Sequence, residues 1–313
     1  VPVYIIDKPL ALTSHDVVAK ARKLLGTRRV GHAGTLDPLA TGVLVLLVDE
    51  ATKLSPFLSE SEKRYLAWIS FGATTATGDA EGPVTREADP AAVTMERIAA
   101  ALPPFFDLSE QRPPSYSAVK QGGVKGYEAA RKGEAVEFPP RPARYFELEL
   151  LAFAPQLKTL PPRFQADETG LYRPADDGRP FALPPPLGAY PTALFDLRVQ
   201  AGTYVRAFAR DLGEALEVPA HLAGLARTAS GRLTLEQAAP LEALKGATPL
   251  AMRDVLPYPL VELSATESAR IRQGQRLPLH DVKGRFGLVG PEGELIAVAE
   301  AEGEGMKLLR VWT

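Results

Sequence analysis

The chemistry of this sequence starts from a lone acid. Asp37 sits in Gly31-His32-Ala33-Gly34-Thr35-Leu36-Asp37-Pro38-Leu39-Ala40-Thr41-Gly42, a loop punctuated by glycines and followed at once by the apolar run 43–48. That run is short, rich in Val and Leu and free of Gly and Pro, which reads as a buried strand. The loop thus brings a carboxylate to the edge of a core. Pro38 steers Asp37 out of the helical region. Asp before Pro is also common in turns, and spacing alone favours that reading. Two sharper readings fail. A phospho-aspartate nucleophile wants a second acid nearby to hold magnesium, and the position two after Asp37 is Leu39. Gly26-Thr27-Arg28-Arg29-Val30-Gly31 has the glycine spacing of a phosphate loop, but His32 and Ala33 stand where Lys and Ser/Thr are required.

Other groups suit a nucleotide. Lys63-Arg64-Tyr65 sets two cations beside an aromatic ring, charge for a phosphate and a face for a base, although taken alone it reads as a tyrosine at a strand edge. Gly202-Thr203-Tyr204-Val205-Arg206 opens a helix with a cation in its first turn, against the helix dipole, which points to an anionic partner. From Lys120 to Arg144 there are six cations and three acids in a glycine-containing stretch, a pattern suited to closing over a polyanion.

Composition bounds these readings. The chain has 313 residues and a net charge of −2, with 45% hydrophobic and 24% charged residues, ordinary for a soluble globular protein of about two domains. The first 36 residues carry six basic side chains against two acids, so one face rather than the whole molecule is basic. The absence of cysteine excludes disulfides, thiolate metal sites and Cys nucleophiles, and the four histidines share no ligand spacing. No apolar run is long enough to span a membrane and no signal-peptide pattern opens the chain, so a cytoplasmic location is expected.

The elements that must position these residues follow in order. A strand over 3–6 precedes a helix capped by Thr13 or Ser14, with an apolar stripe Val17, Val18, Ala21, Leu24 and Leu25, ending at Gly26. Helices are predicted over 50–58, 94–102, 127–132 and 236–244, and strands over 66–71, 144–153 and 194–199. Residues 74–90 read as turn-rich. Residues 154–191 hold nine prolines and little periodicity, which reads as an extended or poorly ordered insertion. From Leu260 short strands alternate with turns, Gly290-Pro291-Glu292-Gly293 being a hairpin signal. The expected domains are 1–255 and a small β-barrel-like unit, 256–313.

Taken together, Asp7-Lys8-Pro9, the block from Gly31 to Leu44, Glu50-Ala51-Thr52-Lys53, Glu62-Lys63-Arg64-Tyr65, Tyr116-Ser117-Ala118-Val119-Lys120, Gly123, Tyr127-Glu128, Arg131 and Gly202-Thr203-Tyr204-Val205-Arg206 resemble the bacterial tRNA pseudouridine synthase B family. The resemblance spans nearly the whole chain, and its C-terminal part resembles a PUA domain, a small RNA-binding barrel. It implies an α+β pseudouridine synthase fold, with a mixed, mainly antiparallel sheet and flanking helices. It also implies isomerisation of the T-loop uridine at tRNA position 55 after base flipping. The implied catalytic residues are Asp37, Tyr65 and Arg206. The implied RNA contacts are Lys8, His32, Lys53, Lys63, Arg64, Lys120, Tyr127, Arg131, Tyr204, Leu225 and Arg227. The 154–191 insertion departs from the family pattern, as does Leu225-Ala226-Arg227 where the family often has Leu-Arg-Arg. No metal or organic cofactor is implied, and the partner implied is the tRNA T-arm, bound by a monomer with no obligate protein partner and no membrane. A synthase acting on ribosomal RNA and an RNA chaperone that folds tRNA without catalysis are the competing expectations.

Overall fold

The computed structural model describes residues 2–114, 120–121, 124–125, 138–278, 282–303 and 305–312. Four strands of the first 71 residues frame the fold: β1 (Val3–Lys8), β2 (Val30–Ala33), β3 (Ala40–Val48) and β4 (Lys63–Phe71). They belong to a nine-stranded sheet in the order Tyr145–Ala154, Thr192–Val199, β4, Ala220–Ser230, β3, β1, Ala239–Pro240, with β2 on β3 and Leu233–Thr234 on Ala220–Ser230. Two of its pairings are parallel, β3 with Ala220–Ser230 and β1 with Ala239–Pro240. The others are antiparallel. This is the mixed, mainly antiparallel α+β architecture that the family resemblance implies.

β3 is buried at all nine positions, which explains its continuous apolar sequence. Alternate side chains point to opposite faces. Leu44, Leu46 and Val48 pack with Val17, Val18 and Ala21 of the helix α1 (Ser14–Leu25), while Val43, Val45 and Leu47 enter a second cluster with Leu66 and Trp68. α1 starts on a Thr13 capping box and ends at Gly26 in the left-handed conformation, φ +68°. Ser14 Oγ both accepts from the Leu36 N–H at 2.8 Å and donates to the Leu36 carbonyl at 3.1 Å, so the start of α1 anchors the chain next to Asp37.

The helix Val205–Ala215 covers the other face of β4. Its Val205, Phe208 and Leu212 pack with Tyr65, Ala67 and Ile69. The 50–58 helix is instead a 3-10 turn, Asp49–Leu54, and a short helix, Ser55–Ser59, with Pro56 in its first turn. The 236–244 helix is replaced by the 3-10 turns Leu235–Gln237 and Leu241–Gly246 on either side of the strand Ala239–Pro240. The turn-rich 74–90 segment holds a hairpin, Ala73–Thr75 with Val84–Glu87. The helix expected over 127–132 lies outside the described residues.

The proline-rich insertion is neither extended nor loose. It forms a three-stranded sheet, Arg163–Ala166, Tyr172–Pro174 and Arg179–Pro180. Phe164 and Tyr172, 1% and 2% exposed, pack into the cluster around Trp68, and Phe164 meets the Trp68 ring edge-on at 6.1 Å. The sequence hid this because four of the insertion's apolar side chains (Phe164, Leu171, Tyr172 and Phe181) lie in or beside very short strands with no period to detect. Beyond it, Leu260–Glu262, Arg285–Val289, Leu295–Glu302 and Gly305–Val311 form a four-stranded open sheet with the helix Ala265–Arg272, and no closed barrel is found among the described residues. The 290–293 hairpin is where the sequence placed it. Leu295, Val298 and Trp312 join the buried cluster of the large sheet, and Trp312 Nε1 donates to the Glu50 carbonyl at 3.0 Å. Among the described residues no helix is long and apolar enough to cross a membrane.

Replacing Phe164 by Ala is expected to cost about 3–5 kcal/mol of unfolding free energy, measured by urea denaturation; a change within about 0.5 kcal/mol would show that the insertion carries no packing.

Candidate active site

Arg206 is the residue around which the site is built. It lies in the first turn of the Val205–Ala215 helix, its side chain is 8% exposed, and anionic oxygens surround it. Its Nη2 meets Asp37 Oδ2 at 2.9 Å, its Nε lies 3.7 Å from Asp79 Oδ2, and its Nη1 donates to the Thr77 carbonyl at 3.0 Å. A buried guanidinium needs such partners, because an unpaired charge in the interior is costly. Asp37, by contrast, has a side chain 41% exposed, so its carboxylate is held from behind and open in front.

Asp79 is buried and organised by its own turn. Thr77 Oγ1 donates to Asp79 Oδ1 at 2.6 Å and the Glu81 N–H donates to the same oxygen at 3.1 Å. Burial raises its pKa, while the Thr77 hydroxyl and Arg206 work in the opposite direction. Sequence reasoning missed this acid. It sits in the Thr77-Gly78-Asp79 turn, in a segment read only as polar and turn-rich, and nothing in its spacing ties it to Arg206, 127 positions on (206 minus 79).

The cleft in front of the Asp37–Arg206 pair measures about 270 Å³, and Lys63, Tyr65, Tyr204, Leu225 and Arg227 line it together with Asp37 and Arg206. Lys63 and Tyr65 reach it from the same face of β4. Arg227 is buried at 1% exposure and serves the loop rather than the solvent. Its Nε donates to the Val43 carbonyl at 2.7 Å and its Nη2 to the Gly34 carbonyl at 2.9 Å. At Gly42, φ is +94° and a Cβ would lie 2.2 Å from the Arg227 carbonyl oxygen, so only glycine admits the strand that carries Arg227. Lys8, fully buried, holds the other side of the loop through the Pro9, Leu12 and Pro38 carbonyls; burial lowers its pKa to about 8. Lys63 donates to the carbonyls of Leu58, Ser59 and Ser61, and burial, followed by the nearby Arg227 charge, lowers its pKa to about 7.

Comparison with known proteins places the chain. Residues 22–167 match the model of the TruB family pseudouridylate synthase N-terminal domain, and residues 258–312 match that of the tRNA pseudouridine synthase II C-terminal segment. The chain is 53% identical over 309 residues to a tRNA pseudouridine synthase B of Thermus thermophilus, covering 99% of this chain and 98% of that protein. It belongs to the tRNA pseudouridine synthase B family. The Deinococcus radiodurans tRNA pseudouridine synthase B is 46% identical over 311 residues, 99% of each chain. Among solved structures, a Cbf5-Nop10-Gar1 complex matches at TM-score 0.68 and 23% identity, over 100% of this chain and 85% of the matched one. An H/ACA RNP bound to a substrate RNA containing 2′-deoxyuridine matches at TM-score 0.65 and 21% identity, with the same coverage. These two likenesses are of fold.

Other residues singled out from sequence lie elsewhere. Arg64 points to the opposite face of β4, where its Nε binds Asp196 at 2.8 Å and its Nη2 binds Glu147 at 3.1 Å. Lys53 pairs with Glu50, which also binds Arg29 at 2.7 Å. His32, on β2, does not line the cleft; its ring meets His15 edge-on at 5.7 Å, and burial, His15 and Arg227 lower its pKa. Lys120 begins the two-residue strand Lys120–Gln121, while Tyr127 and Arg131 lie outside the described residues.

The buried Lys63 amine makes a pH signature. Folded, it loses its proton near pH 7; its ordinary value is 10.5. Between these values the unfolded chain binds more protons, so stability rises with pH, by up to about 1.4 kcal/mol per unit from this one group. Lys8 adds to the same trend from about pH 8 upward. Urea unfolding at a series of pH values between these limits is expected to show a shallower rise for Lys63→Met than for the parent chain; equal slopes would mean that Lys63 stays charged in the fold.

Proposed function

We propose that this chain converts a uridine of tRNA into pseudouridine, at position 55 of the T-loop, with the chemistry in the Asp37 cleft. The observation that carries this reading is the half-exposed Asp37 carboxylate, fixed by a buried Arg206 at 2.9 Å in a cleft lined by two tyrosines, in a chain of this family. The reaction breaks the bond between the sugar C1′ and N1 of uracil, turns the base and joins C5 to C1′. The C5 proton is lost and N1 gains one, so atoms balance without any added reactant.

C1′ becomes electron-poor as the first bond breaks, and a carboxylate stabilises that charge, as in glycoside cleavage. One acid suffices, because the leaving base returns as the nucleophile and no water has to be activated. Arg206 sets the direction of the Asp37 carboxylate through a charge-assisted bond, and Asp79 with the Thr77 carbonyl keeps Arg206 in place. Tyr65 offers a face to the extruded uracil, which offsets part of the few kcal/mol that unstacking costs. Tyr204 and Leu225 close the sides of the same cleft. Cations of the 120–131 stretch, Lys120 and Arg131 among them, grip the RNA backbone. Lys8 and Arg227 contribute by shaping the loop through bonds to backbone carbonyls, and Arg227 also bonds the Tyr65 side chain. Residues 1–255 form the catalytic part and 256–313 the RNA-binding part of this assignment. The same grip on the T-arm also assists tRNA folding, a role separable from catalysis.

Asp37→Asn is expected to abolish pseudouridine in the T-loop while tRNA binding persists, read by site-specific pseudouridine mapping beside a filter-binding assay; product at the parent level from this variant sinks the assignment. Asp79→Asn keeps Asp37 but loosens Arg206, and a rate loss of about 10- to 100-fold is expected in single-turnover assays.

A further inference from the structure

The Tyr204–Arg206 turn has a second support, outside the acids that hold Arg206. Gln111 lies on the short strand Glu110–Gln111, paired with Arg141–Pro142, and is 5% exposed. Its side-chain amide is used at both ends. Oε1 accepts from the Tyr204 backbone N–H at 2.9 Å, and Nε2 donates to the Tyr145 hydroxyl at 2.9 Å. Tyr204 is the N-cap of the Val205–Ala215 helix, and no side chain of its own caps that helix. The turn before it is tight: Gly202 has φ +90° and the Thr203 N–H donates to the Gln200 carbonyl at 3.2 Å.

Tyr145 is a firm anchor for the far end of the amide. It is 2% exposed and its ring packs on Phe105 at 5.7 Å and on Phe208, of the same helix, at 5.5 Å. The next residue repeats the connection, since the Arg112 carbonyl accepts from Arg210 Nη2 at 3.1 Å, one turn along the helix from Arg206. Two consecutive residues, Gln111 and Arg112, therefore hold the helix that carries the arginine of the cleft.

We propose that Gln111 is a positioning residue for the reaction: by fixing the Tyr204 N–H against Tyr145, it sets where Tyr204 and Arg206 enter the Asp37 cleft. This rests on the assignment of the cleft as the site of pseudouridine formation. Gln111 touches no reacting atom, and its effect belongs in the chemical step rather than in tRNA affinity. A leucine at this position fills similar space but removes the acceptor that Gln111 gives the half-buried Tyr204 N–H. A glutamate keeps an acceptor for that N–H and a second oxygen to which the Tyr145 hydroxyl can turn and donate.

The test compares the full chain with Gln111→Leu and Gln111→Glu, by amide hydrogen exchange at Tyr204 and by single-turnover pseudouridine formation beside tRNA affinity. The expected result for Gln111→Leu is faster exchange at Tyr204 and a turnover rate lower by about tenfold or more, with the tRNA Kd within about twofold. Gln111→Glu is expected to recover most of both losses. Parent-level exchange and turnover in Gln111→Leu, or a loss confined to Kd, overturns the proposal. If Gln111→Leu does not fold, Tyr145→Phe, which removes only the anchor hydroxyl, decides by the same readings. If the parent chain itself forms no pseudouridine, the functional assignment fails, and exchange at Tyr204 alone decides the role of Gln111.

Discussion

The Arg206 guanidinium, buried and shared between Asp37, Asp79 and the Thr77 carbonyl, is the interaction on which the site depends. A charge at 8% exposure is tolerated only with such partners. The groups that meet here come from different parts of the chain: the loop before β3, the turn ahead of the Val84–Glu87 strand, and the helix packed on β4. Meeting at one guanidinium therefore fixes their relative placement. The first-turn cation that looked unfavourable for its helix is explained by the anions that face it.

The rest of the loop is held by groups that would pass for RNA ligands in the sequence. Arg227 and Lys8 are buried cations, and both spend their donors on backbone carbonyls around Asp37. Lys63 does the same beside the cleft. These donors reach the Gly34 and Pro38 carbonyls of the irregular stretch around Asp37, the Val43 carbonyl of β3, and the Leu58 and Ser59 carbonyls of the Ser55–Ser59 helix. Their desolvation lowers their pKa values, so the loop's rigidity is obtained at some cost in stability near neutral pH.

Much of this was legible in the sequence and some of it was not, for identifiable reasons. The Thr13 box and Gly26 mark α1 because capping is local chemistry. β3 was legible because burial on both faces leaves an unbroken apolar run. Asp37, Tyr65, Tyr204, Leu225, Arg227 and Arg206 share one cleft, but their grouping came from a resemblance between motifs, since positions as far apart as 37 and 227 carry no spacing signal. Arg64 illustrates the limit of reading a charge run: beside Lys63 and Tyr65 in sequence, it faces the other side of the strand and a buried Asp196, whose pKa burial pushes up to about 7. Asp79, Gln111 and the packed insertion were missed because each acts through a contact across the sheet or with a distant helix.

The central claim is that this chain, alone, isomerises one uridine in the T-loop of tRNA. The most direct measurement is mapping every pseudouridine in an unmodified tRNA transcript after incubation with the purified chain and no other component. The account predicts a single new pseudouridine, at position 55 of the T-loop. A transcript left unchanged, or modified only outside the T-loop, would contradict it.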